Sequence, residues 1–216
     1  EPAGPTTLTV ANGTVDSPAV RYCFLPFGED PGGTLPWPGV EGLGFARAAV
    51  VDIDSVIPSD VDVDVVVIAG DMAATAGETC ADLDAAPPSG VVVGHVGVLP
   101  ADVFAEATSL LLVSTGCLGG PGHEDELSEL ICGLGYAPDR PNLGLLAGFL
   151  SRIGPANRIS LQFVHASQGL ADSVVLSVQP GGSSTTKVNL VDNWSVGAIQ
   201  PFPPADNFSE DTLGDL

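Results

Sequence analysis

The residues of this chain that could do chemistry are three histidines, four cysteines and 27 acidic side chains, spread over 216 residues. The histidines are His95, His123 and His165. None belongs to an HExxH helix, and His123-Glu124-Asp125-Glu126 lacks the second imidazole that a zinc-protease helix requires. Ser114 lies in Val113-Ser114-Thr115-Gly116-Cys117, which lacks the first glycine of a nucleophile elbow. No glycine-rich phosphate cradle follows a strand and opens a helix. Paired carboxylates are frequent, but at this density of acids some pairing arises by chance, so proximity alone does not announce an acid/base pair. The expectation is a protein without catalysis.

The carboxylates suggest different chemistry. Val61–Ile68 alternates, with Asp60, Asp62 and Asp64 on one face and Val61, Val63 and Val65 on the other. Asp52 and Asp54 mark a similar face a few residues earlier. If the two strands pair, five carboxylates converge on one wet surface. Like charges set opposite one another cost stability, so the register must separate them or a cation must lie between them. Ca²⁺ is the cation this would suit, although no EF-hand loop is present. No other cofactor is expected. Trp37 and Trp194 are the candidates for a carbohydrate-binding surface, if exposed.

Cys23, Cys80, Cys117 and Cys132 form no CxxC pair, which removes support for a zinc ribbon or thioredoxin-like chemistry. An even number without metal spacing points to two disulfides and an oxidising compartment. Three connectivities satisfy the count. Sequence proximity favours Cys23–Cys80 with Cys117–Cys132, each closure contributing roughly 3–4 kcal/mol on the loop-entropy model. Glu1-Pro2-Ala3-Gly4-Pro5 reads as the start of a processed protein, and a removed signal peptide would account for this and for the cysteines. A secreted or cell-surface location is therefore expected.

Charge sets the excluded partners. Six Lys+Arg against 27 Asp+Glu give a formal charge of −21, which repels phosphate backbones and anionic membranes. No apolar run reaches the length of a membrane-spanning helix. The Gly-, Ala- and Asp-rich, lysine-poor usage points to a bacterial source.

These residues need elements to position them. Hydrophobic content of 44% is enough for a core, while 27 Gly and 19 Pro make turns frequent and long helices few. Strand-like stretches are Thr7–Ala11, Ala19–Leu25, Phe45–Ile53, Val61–Ile68, Val91–Val98, Leu110–Ser114, Asn142–Leu150 and Lys187–Val191. Pro26–Gly44 is loop, in which Trp37 and Phe27 are expected to cap the core. Asp71–Ser89 reads as connector and Pro100–Ala107 as a short helix or turn. Glu124–Gly133 shows the one helical pattern. The clearest hairpin is Arg158–Val178, in which Ile159–Val164 and Val174–Val178 flank His165-Ala166-Ser167-Gln168-Gly169. Thr7–Ala11 and Ala19–Leu25 look like a second such pair around Asn12–Pro18.

These two stretches carry a resemblance. Val164-His165-Ala166-Ser167, a short turn, Asp172 and a hydrophobic strand resemble the opening hairpin of the DUF4397 family. In the N-terminal copy Asn12 stands where that family has His, while Asp16-Ser17-Pro18-Ala19-Val20 keeps the Asp, Pro, Ala and Val. The resemblance covers Thr7–Cys80 and Leu143–Val178. It implies secreted immunoglobulin-like β-sandwich domains and transfers no catalytic residue. The expected organisation is an arm over 1–6, a first sandwich over 7–150 and a second, shorter unit over 151–216.

The function expected on these grounds is a structural or interaction module of the cell surface or matrix. Its partners would be other surface components or further copies of itself, joined as a fibre by β-strand exchange. A Ca²⁺- or carbohydrate-binding module ranks behind these.

Overall fold

The strict alternation of Leu8 and Val10 with Thr7, Thr9 and Ala11 gives strand β1 (Thr7–Thr14) one dry face and one wetter face. In the computed structural model this strand lies inside a sheet. The structure describes residues 5–53, 56–57, 61–104, 108–120, 127–133, 135–150, 162–170, 173–178, 188–195 and 197. The chain continues as β2 (Ala19–Pro26), β3 (Leu43–Gly44), β4 (Ala48–Asp52), β5 (Val63–Gly70), α1 (Cys80–Ala85), β6 (Val91–Leu99), β7 (Ser109–Gly116), α2 (Leu127–Cys132), β8 (Gly144–Phe149), β9 (Ser173–Val178) and β10 (Val188–Ser195). Short 3-10 turns at Met72–Thr75 and Ala101–Phe104 join the larger elements. The protein is all-β, with few and short helices.

Two four-stranded sheets run β4-β1-β7-β8 and β3-β2-β5-β6. Leu8, Val10, Leu110 and Leu112 of the first sheet share a core with Val20, Tyr22, Phe24, Val63, Val65 and Val67 of the second, so the sheets face each other. The first sheet is mixed, because β1 pairs parallel with β7 and antiparallel with β4. β9 and β10 form a separate antiparallel pair.

One strand pairing expected from sequence is corrected. β1 and β2 are not a hairpin: they belong to opposite sheets, joined by an arch through Asn12–Pro18. The arch is held by Asp16, whose carboxylate accepts hydrogen bonds from the backbone N–H of Leu118 (3.0 Å) and Gly119 (2.8 Å). Of the other expected hairpin, Arg158–Val178, the strand Val174–Val178 pairs with β10. Residues 159–161 of that expected hairpin, and Asp172, lie outside the described residues.

The outer face of the second sheet is also corrected. The face of Val61–Ile68 that carries Asp62 and Asp64 is expected from sequence to be wet, yet Val66 and Ile68 on that face are buried with Leu83, Val91 and the Cys23–Cys80 pair beneath α1. The unbroken run Val65–Ala69 signals a strand covered on both sides. α1 lies in the stretch read as connector. Thr79 caps it, accepting from the Asp82 N–H at 3.1 Å and donating its hydroxyl to the Asp82 carboxylate at 2.6 Å. The cysteines pair as Cys23–Cys80 and Cys117–Cys132.

Candidate functional site

The expected calcium surface does not assemble from paired strands. β4, which carries Asp52, belongs to the first sheet and pairs with β1; β5, which carries Asp64, belongs to the second and pairs with β2 and β6. Asp62 accepts from the backbone N–H of Ala101 at 2.9 Å, while Asp64 faces His95. Asp54 and Asp60 lie outside the described residues. Among the described residues no group of three or more His, Cys, Asp or Glu side chains is arranged to hold a metal ion.

Trp37 is half-buried against the core, and its backbone exchanges hydrogen bonds with that of Tyr22, so it caps the sheets. Phe27, expected to cap with it, is instead exposed. Trp194 sits on β10 opposite Val174; its side chain lies outside the described residues, as does His123. Asn12 is buried. Its side-chain nitrogen donates to Leu43 O and its side-chain oxygen accepts from the Thr14 N–H, so this asparagine serves the arch.

The remaining candidate chemistry resolves into three clusters. Ser114 is fully buried, bonded to the Tyr22 hydroxyl at 2.8 Å and the Thr14 hydroxyl at 3.0 Å. Burial pushes the Tyr22 phenol up, which leaves it a neutral hydrogen-bonding group at the seam between the sheets. At the surface, His95 on β6 lies between two carboxylates. Its Nδ1 is 2.7 Å from Asp64 and its Nε2 is 2.9 Å from Asp84 of α1. The hydrogen bond to Asp64 raises the imidazole pKa above the usual histidine value; partial burial opposes this, and the charges of Asp64 and Asp84 add to it. Both ring nitrogens are thus committed to carboxylates, which makes His95 an ion-pair bridge between sheet and helix rather than a general base.

Arg21 is the third cluster. Its guanidinium is buried and donates to Pro36 O (2.6 Å), Pro38 O (2.9 Å), Thr75 O (3.2 Å) and the Thr75 hydroxyl (2.7 Å). Five fixed N–H donors suit such a convergence of carbonyls from separate loops. Two prolines in the Pro26–Gly44 loop supply carbonyls without competing N–H groups, a signal visible in the sequence only in retrospect.

Two surface features combine apolar side chains with exposure to solvent. The first is the outer strand β8, Gly144-Leu145-Leu146-Ala147-Gly148-Phe149, which carries no charge. Its register pairs Phe149 with Leu110, and Leu150 N–H donates to Ser109 O at 2.7 Å. Antiparallel geometry then turns the backbone groups of Leu145, Ala147 and Phe149 away from β7, towards the outer edge. Gln162 donates its side-chain amide to Phe149 O at 2.9 Å, and the Phe149 ring is 55% exposed.

The second is a cleft of about 410 Å³ between the arch and the His165–Leu170 turn. Asn12, Gly13 and Val15 approach it from the arch, and Ala166, Ser167 and Leu170 from the turn. Phe45 closes one side, and Leu130 and Ile131 of α2 another. The turn is fixed by Gln168, which donates to the Thr115 hydroxyl at 3.1 Å and accepts from Asn142 at 3.1 Å. Close backbone approach makes glycine necessary here. A Cβ on Gly169 would meet Ile131 O at 2.5 Å, and one on Gly133 would meet Gln168 O at 2.8 Å. Neither Gln168 nor the cleft was identifiable from sequence, because both depend on the His165–Leu170 turn folding back onto the first sheet.

A scan against protein-family models, a search of the curated proteins and a search of the solved structures found no match to this chain.

Proposed function

We propose that the chain is a non-catalytic interaction module of the extracellular surface or matrix, built as an immunoglobulin-like sandwich of the DUF4397 type. The observation that carries this reading is the charge-free outer strand β8, with the backbone of Leu145 and Ala147 aimed outward and Phe149 exposed. Such an edge is a template for an added strand, and soluble proteins ordinarily blunt it with lysine, proline or a bulge. The two disulfides favour an oxidising compartment. The commitment of Ser114 and His95 to structural bonds agrees with a role that needs no reaction.

Lysine at Ala147, an exposed edge position, should block strand addition while leaving the core intact. In cells expressing the full chain, the wild type should fractionate with the surface material and Ala147→Lys with the medium. Equal partition of the two would overturn the proposal. A second reading, in which the added strand comes from another copy of the chain, is favoured by the apolar, self-complementary character of β8. Light scattering over a concentration series, with electron microscopy, should then show Ala147→Lys arrested as monomer and the wild type growing.

A further inference from the structure

The cleft between the two motif turns is unlike the rest of the surface. The chain carries a formal charge of −21, yet among the described residues no ionisable side chain lines this cleft. Four large apolar side chains converge there while still open to solvent: Phe45 (49% exposed), Leu130 (73%), Ile131 (49%) and Leu170 (57%). Scattered apolar residues on a surface are ordinary; convergence on one concavity marks a binding place.

We propose that this cleft binds a small, uncharged, largely apolar molecule of roughly one to two dozen non-hydrogen atoms, bearing at most one hydroxyl or carbonyl group. Size argues for it. At about 410 Å³ the cleft falls at the lower end of the ~300–1,000 Å³ range of small-molecule sites. A folded partner fits poorly, since four side chains about half exposed offer only on the order of 400 Å², against ~800 Å² per side in a stable protein interface. Charge narrows the class further. A carboxylate-headed lipid would enter against the negative field of the whole chain and find no cation among the described residues of the wall. An ammonium would be attracted at long range but would lose its water without gaining a carboxylate at the site. A neutral ligand meets neither cost. Ser167 and the partly engaged Asn12 amide are the polar groups at the wall, which suits one hydroxyl or carbonyl.

The proposal is independent of the β8 edge. Its test uses the full, oxidised protein with Nile red as a neutral fluorescent probe, and decanol, decanoate and decyltrimethylammonium as competitors of matched chain. Decanol should displace the probe saturably at one site, with decanoate at least tenfold weaker and the ammonium weaker than decanol. Ile131→Glu and Phe45→Glu, both at exposed positions, should weaken probe and decanol binding at least tenfold while circular dichroism and Tm stay those of the wild type. Ala147→Lys should bind as the wild type does. Absence of saturable binding would overturn the proposal. So would decanoate competing as well as decanol, or undiminished binding in both glutamate variants. If those variants lose structure, Phe45→Ser and Ile131→Ser replace them, read by the same tenfold criterion.

Discussion

At the scale of single residues, the most heavily used polar group is one that motif reading passes over. Arg21 is a cation within a β-strand, and its charge is satisfied by carbonyl and hydroxyl oxygens from Pro36, Pro38 and Thr75. Arg21→Met preserves much of the side-chain volume but leaves those buried oxygens without donors. It should lower unfolding stability by about 3 kcal/mol, measured as a shift in the urea midpoint at unchanged slope. A loss below about 1 kcal/mol would mean that water replaces the guanidinium. His95 makes a prediction of opposite sign to the usual carboxylate case. Its pKa is raised in the fold, so its contribution is fully present below the unfolded histidine value of about 6.5 and is lost as pH rises through the folded value. The difference in Tm between wild type and His95→Asn should therefore shrink from acidic to alkaline pH. Because His95 is half exposed, solvent screens the pair and the effect is small; a difference that grows with pH would exclude the ion-pair assignment.

At the scale of elements, the two disulfides do different work. Cys23–Cys80 spans 57 residues and fastens α1 over the outer face of the second sheet; Cys117–Cys132 spans 15 and fastens α2, which forms one wall of the cleft. Loop entropy assigns about 4 kcal/mol to the longer closure and about 3 kcal/mol to the shorter. Replacing Cys23 and Cys80 by Ala should thus cost more stability but leave Nile red affinity intact. Replacing Cys117 and Cys132 should cost less and weaken the probe. Chemical denaturation and probe titration of both double variants decide this, and identical effects on binding would refute the division of labour. Strand positions were legible in the sequence because the alternation in Thr7–Ala11 and the apolar runs in Val63–Ala69 and Leu110–Val113 are local signals. Strand partners were not. Asn12–Pro18 contains Asn-Gly and Ser-Pro, as a hairpin turn would, and only the burial of β1 and β2 in opposite sheets shows it to be an arch.

At the scale of the whole molecule, acidity and apolar convergence are kept apart. The carboxylates Asp52, Asp62 and Asp64 belong to different sheets or different partners, while the apolar cleft is assembled from segments more than a hundred residues apart. No local pattern encodes that assembly, which is why Gln168 and Phe45 gave no signal. The placement of β1 has a consequence for how the chain comes into being. β1 sits between β4 and β7, and its parallel partnership joins Thr7 to Ser109, 102 residues later. A ribosome delivers β1 well before β7, but the slot β1 fills is complete only when β7 has emerged. Loop closure over that length is an entropic cost met before any contact rewards it. Throughout synthesis, the apolar face of Leu8 and Val10 must wait for its partners. A strand made so long before its partner is among the last that can be seated.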